Sequence, residues 1–205
     1  MEETPPFVTE PEDTRGEIMA ATYRALCRHG YSGITVQRIA EEFEKSKSLL
    51  YHHYDDKDEL LLAFLAHMLE QFEAAVPECE AESPTEQLDE MLDQLLTESE
   101  PPEAQQFITA MVELRGQAAH DERYRAQFGQ HDRAFHDRLV AVIEAGMETG
   151  CFRDVDAERI ATFLLTLTTG AMTRRATVEA AAGATVRDEV ETYVDRRLRA
   201  EGDDE

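Results

Sequence analysis

Gln37, Lys47, Ser48, Tyr51, His52 and His53 lie within one short stretch. Each can donate a hydrogen bond, and none is acidic. Donors without carboxylates suit an anionic partner, above all one built of phosphates. The lysines sharpen the point. All three, Lys45, Lys47 and Lys57, fall between positions 45 and 57, and the other 17 basic residues are arginines. Forty-four Asp and Glu oppose them, for a formal charge of -24. Residues 1–13 carry five acids and no base, residues 14–57 seven bases and six acids, and residues 58–205 13 bases and 33 acids. One short segment is held near neutrality on an acidic chain, and phosphate recognition accounts for that asymmetry.

The acid excess has two readings. One is a surface for a basic partner; the other is adaptation to a high-salt cytoplasm, where self-repulsion is screened. Scarce lysine and acids spread over every segment favour the second. The first residues, MEETPPFVTE, lack the basic and apolar regions of a signal peptide. No apolar run approaches the roughly 18 residues of a membrane span. Cys27, Cys79 and Cys151 are odd in number and far apart, which suggests reduced thiols. A cytoplasmic location is therefore expected.

The elements that must position the donors read as helices almost throughout. Residues 1–12 are expected to be a flexible acidic N-terminus. Thr14 with Glu17 suggests a capping box for a helix carrying Ile18, Ala21, Ala25 and Leu26 and ending near Gly30. Thr35 can cap a short helix bearing Val36, Ile39, Ala40 and Phe43. Ser46 can cap another reaching His53. Asp55 or Asp56 opens a helix through Leu60, Phe64, Met68 and Phe72. Ser83 with Glu86 opens the next, and Pro101 and Pro102 suit the first turn of one bearing Phe107, Met111 and Leu114. Later helices are expected at roughly 121–149, from Asp154 or Asp156 through Ala171, and at about 185–199. No strand alternation persists, so the class is all-α, with about nine helices.

Residues 35–54 have the spacing of a helix-turn-helix, whose second helix enters the major groove of DNA. Ile39, Ala40, Leu50 and Tyr54 are placed to pack the two helices together, which leaves the six donors outward. The wider string RHGYSGITVQRIAEEFEKSKSLLYHHYDDKDELL, residues 28–62, closely resembles the DNA-binding domain of the tetracycline-repressor (TetR) family. Gly30-Tyr31, Thr35, Ile39-Ala40, Ser46-Lys47, Leu50-Tyr51-His52, Tyr54, Lys57 and Leu60 match its pattern in order. The stretch from Glu113 to Thr177 is similar to the C-terminal domains of repressors grouped with the choline–betaine regulator.

The resemblance implies a three-helix DNA-binding domain at 13–57 and a helical effector-binding and dimerisation domain at 58–200. It implies phosphate contacts at Thr35, Tyr51 and Lys57, and base readers among Gln37, Lys47, Ser48 and His52, with His53 beside them. It implies an effector cavity lined by helices that carry Phe64, Met68, Phe107, Met111, Phe135 and Phe163. Glu113 interrupts the apolar run FITAMVEL: at the surface it is solvated, and facing the interior its carboxylate needs a partner such as Arg115 or a cationic ligand. The segment 162–175 mixes bulky and small residues and, with the last helix, is implied to form a homodimer interface whose small and apolar face centres on Gly170 and its neighbour Ala171. Two positions depart from the family: Glu44 stands where the turn usually has Gly, and Leu49 where Thr or Ser is common. A left-handed Glu44 would cost about 1 kcal/mol.

The partners implied are thus a double-stranded DNA operator, a second copy of the chain and a small-molecule effector that releases a repressor. The rival reading is a helical small-molecule-binding protein or enzyme whose helix-turn-helix no longer binds DNA. His120, Asp121, His131, Asp132, His136 and Asp137 invite a metal reading, but the spacing forces no third ligand, and solvated side chains are the expectation. No nucleophile motif or phosphate-cradling Gly-rich loop is present. No cofactor, metal or catalytic residue is expected.

Overall fold

The structure is a computed structural model and describes residues 13–43, 47–75, 83–96, 102–178 and 183–200. Among these the all-α class is borne out. Nine helices follow in order: α1 (Thr14–Gly33), α2 (Val36–Glu42), α3 (Lys47–His53), α4 (Lys57–Ala75), α5 (Pro84–Leu96), α6 (Pro102–Gln117), α7 (Glu122–Thr149), α8 (Ala157–Thr177) and α9 (Gly183–Arg197). The one extended pairing among the described residues is an isolated bridge between Phe152 and Arg199.

Most helix starts obey local capping chemistry. The Thr35 hydroxyl accepts from the Arg38 amide (3.2 Å) and opens α2. Asp56 accepts from the Glu59 amide (2.8 Å), while Glu59 accepts from the Asp55 amide (2.7 Å), a reciprocal cap for α4. Ser83 opens α5 and Asp156 opens α8 in the same way. The first helix differs from expectation. Asp13, not Thr14, is its cap, and its carboxylate accepts from the Gly16 amide at 2.7 Å. Both residues can cap, and a carboxylate does so with a full charge facing the helix dipole. The proposed Ser46 cap and the Glu44 turn lie outside the described residues.

The contacts divide the chain into two compact units. In the first, α1 packs on α2, α4 and α6, with the start of α7 beside them. Its core holds Ile18, Ala21, Ala25, Leu26, Ile39, Leu50, Leu60, Leu61, Phe64, Leu65, Leu114 and Tyr124, all buried. Each such Leu or Ile contributes roughly 1.5–3 kcal/mol by leaving water. The buried Thr22 hydroxyl donates back to the Ile18 carbonyl (2.8 Å), so it is satisfied within α1.

In the second unit α5 packs on α8 and α9, and α8 on α9. Leu88, Met91 and Leu92 of α5, Leu139 and Ile143 of α7, Leu164 of α8 and Val194 of α9 are buried. Arg199 grips Asp89 at 2.5 and 2.6 Å, and Arg187 grips Asp93 at 2.7 Å, so two ion pairs tie α5 to the chain's last helical stretch. Gly146 seats the Phe152 ring: a Cβ there would lie 1.9 Å from a ring carbon, so no other residue fits without moving backbone or ring.

Candidate nucleic-acid interface

The short α2–α3 pair is built by three buried apolar residues. Ile39 from α2, Phe43 from the turn and Leu50 from α3 all join the first unit's core. Leu49 packs partly buried against the same core, which leaves the polar side of α3 outward. Ser48, Tyr51, His52 and His53 are exposed, with Tyr51 at 50%. His53 lies near His52 and Tyr54, at ring-centroid distances of 5.8 and 6.3 Å. Lys47 is the first residue of α3, and its side chain is outside the described set. On α2, exposed Gln37 reaches Glu41 at 3.3 Å, and Thr35 is exposed at the cap.

Lys57 opens α4 and places its ammonium 4.5 Å from the centre of the Tyr31 ring, a cation–π contact. Burial and the nearby carboxylates of Asp58 and Asp121 push the Tyr31 hydroxyl above its ordinary pKa, so the ring stays neutral beneath the lysine.

The arginines of this segment engage groups within the domain. Arg24 donates to the Glu42 carbonyl (2.8 Å), and Arg28 pairs with the Glu42 carboxylate. Two α1 cations thus hold the C-terminal end of α2, where exposed carbonyls and the helix dipole favour positive charge. Arg38 donates to the Gly33 carbonyl. Burial raises the Tyr54 hydroxyl pKa, and Arg15 opposes that shift by its charge and a hydrogen bond. All four arginines between 14 and 57 therefore have partners inside the domain. Sequence reading missed this clamp, though Arg24 and Arg28, one turn apart on α1, were its visible signal.

The residues expected to line an effector cavity separate. Phe64, Met68 and Met111 share the first unit's apolar cluster. Phe135 is buried and Phe163 stands on α8, both in the second unit. Phe163 is 41% exposed and packs against the Tyr193 ring, centroids 4.6 Å apart. The Phe107 side chain is outside the described set. Glu113 accepts a hydrogen bond from the Tyr31 amide at 2.6 Å, a backbone partner on α1. Ala171 is buried, whereas its neighbour Gly170 is exposed.

His136 contacts the Glu158 carbonyl (3.3 Å) and the Thr162 hydroxyl (3.2 Å). No three His, Cys, Asp or Glu among the described residues are placed to hold a metal. No described helix is long and apolar enough to cross a membrane.

Residues 18–64 match the bacterial regulatory proteins of the tetR family. Residues 84–199 match the C-terminal domain of BetI-type transcriptional repressors, which is more than half of the chain. The chain belongs to the TetR family. The transcriptional repressor AcnR of Corynebacterium glutamicum is 30% identical to this TetR-family chain over 190 residues, covering 92% of it and 96% of the relative. A TetR transcription regulator from Haloarcula marismortui is 40% identical, with a TM-score of 0.83 over 90% of this chain and 98% of that one. A regulator from Saccharomonospora viridis, solved in complex with choline, shares the fold at 18% identity, with a TM-score of 0.77 over 93% of this chain and all of that one. This TetR-family chain is a DNA-binding transcriptional regulator.

Proposed function

We propose that this regulator is a cytoplasmic repressor that grips its operator as a homodimer and releases it when a small organic effector binds. The observation that carries the reading is the outward face of α3, which is exposed and free of acid on a chain of net charge -24. Ser48, His52 and His53 face the base edges, with Gln37 and Lys47 beside them. Thr35, Tyr51 and Lys57 take phosphates, and the N-terminus of α4 adds its dipole there. Two copies of α3 must stand about 34 Å apart to enter successive major grooves. The exposed face of α8, with α9, joins the copies.

Phe64, Met68 and Met111, which share the first unit's apolar cluster, are assigned to the effector site. Glu113 engages the Tyr31 amide and Phe163 the Tyr193 ring. Choline is the first effector to try, because the C-terminal match is to BetI-type repressors and the Saccharomonospora viridis neighbour was solved with it. An inducer acts only by favouring one spacing of the recognition helices over the other. The likeness to the Haloarcula marismortui structure and the spread of acids support a salt-adapted source.

The test is a gel shift with DNA from upstream of its own gene, across a KCl series. From about 0.01 M to about 1 M the Debye length falls from about 30 Å to about 3 Å, which screens carboxylate repulsion within the chain and against DNA. Counterion release works the other way and weakens binding. Thermal stability should rise over that range while a retarded complex persists. A chain that retards no DNA at any salt is the small-molecule-binding protein of the rival reading. Stability that is flat or falling makes the acidic surface a partner site instead.

A further inference from the structure

We infer that Glu113 is a positioning residue for DNA binding: it ties α6 to the Gly30–Tyr31 corner of α1, and through the Tyr31 ring to Lys57. The inference rests on the operator-binding reading above.

The corner begins at Gly30, which has φ 64° and breaks the helical path inside α1. Such a φ favours glycine. The break leaves the Tyr31 amide at the start of a new turn, which closes when the Ile34 amide donates to the Gly30 carbonyl at 3.0 Å. A first-turn amide has no partner within its own turn. Glu113, 82 residues away on α6, supplies one: its Oε2 accepts from the Tyr31 amide at 2.6 Å. An ionised acceptor at that length makes one of the stronger hydrogen bonds a protein forms.

The same carboxylate lies against the bare α-carbon of the corner, where the positive φ already calls for glycine. A Cβ on Gly30 would lie 3.1 Å from Oε2. The amide and the bare α-carbon together form a socket for one carboxylate oxygen. On the other side of the corner the Tyr31 ring supports the Lys57 ammonium at 4.5 Å. Glu113, Tyr31 and Lys57 thus form a continuous path from α6 to a residue assigned to phosphate. The helices joined by this path belong to one compact unit, and α6 packs along α1 beside it. A displacement of α6 therefore carries the corner, and a displaced corner moves the ring on which the lysine rests.

The experiment uses the full-length chain, with Glu113→Ala, Glu113→Gln, Lys57→Ala and the Glu113→Ala/Lys57→Ala double variant. Each is titrated onto upstream DNA, and the Tyr31 amide is followed by hydrogen exchange. Glu113→Ala should weaken DNA binding by on the order of tenfold and speed Tyr31 exchange. Glu113→Gln keeps a carbonyl acceptor and should recover most of both. In the double variant, losing Glu113 should cost much less than it does when Lys57 is present. Unchanged affinity in Glu113→Ala, with Tyr31 exchange accelerated, would make the contact structural only and overturn the inference. Equal loss in the Ala and Gln variants, or full additivity with Lys57→Ala, would overturn it too. A wild-type chain that binds no DNA would remove the operator reading itself, and this inference with it.

Discussion

Helices α3 and α8 both turn a face to solvent, and the two faces are opposite in chemistry. On α3 the exposed residues are Ser48, Tyr51, His52 and His53, all hydrogen-bond donors. On α8 they include Thr162, Phe163, Thr166, Gly170 and Thr173, which share one side of the helix. The α8 threonines look polar in the sequence, yet Thr166, Thr173 and Thr177 donate to the carbonyls of Thr162, Thr169 and Thr173 in their own helix. Phe163 and Val178, 41% and 44% exposed, add apolar surface on and just beyond the same helix. The comparison teaches that exposure alone names no partner. A face of hydroxyls and imidazoles without acids suits phosphates and bases, and a face of threonine, glycine and phenylalanine suits a second protein surface.

Gly170→Glu breaks the α8 side of the comparison and has the largest expected effect. A Cβ at Gly170 meets nothing within 4 Å, so the chain itself accepts the change. Replacing a mid-helix glycine even favours the helix, by up to about 1 kcal/mol. Light scattering should show monomers, and affinity for a two-half-site operator should fall by about 100-fold or more as bivalency is lost. A wild-type monomer at micromolar concentration would remove the interface. Ala171 is the wrong place for this test because it is buried within its own unit.

Leu50→Ala sharpens the α3 side. Leu50 is fully buried beneath the exposed donors, and its truncation should cost about 2–5 kcal/mol in stability. The melting temperature and DNA binding should fall together. A melting temperature that does not move would mean that α3 is not held by this residue.

Local chemistry made the helices legible. Thr35, Ser83 and Asp156 cap through neighbours three residues on, and that spacing is visible in any sequence. The Asp13 cap was misplaced by one residue because two adjacent residues could serve. Long-range partners were not legible: the amide that Glu113 engages is 82 residues away, and Glu42 is 14 residues from Arg28. Nor was the orientation of α8. Phe163, Leu164, Leu165 and Leu167 surround much of that helix, so periodicity could not decide that Phe163 faces out and Leu164 in. The donors on α3 could be chosen because Leu49 and Leu50 are the two leucines of an otherwise polar short helix.

The smallest effect concerns pH. Burial, and then the Arg15 charge, lower the His67 pKa below its ordinary value. The unfolded chain therefore binds a proton more readily than the folded one. Stability contributed by neutral His67 is present above the unfolded value of about 6.5 and is lost as pH falls through that window toward the lowered folded pKa. Thermal melts from neutral to mildly acid pH should show a shallower decline in His67→Gln than in the wild type. Parallel declines would take His67 out of the account. Because Tyr51, His52 and His53 sit on another helix, DNA contact by α3 should not depend on this substitution.

The central claim is that the exposed face of α3 touches DNA while Leu50 beneath it does not. Tyr51→Ala tests it directly, because the side chain is half exposed and its loss should change stability by no more than about 0.5 kcal/mol. Fluorescence anisotropy with upstream DNA, read beside a thermal melt, should show affinity reduced on the order of tenfold or more at an unchanged melting temperature. Wild-type affinity in Tyr51→Ala, with the wild type itself binding tightly, would contradict the account.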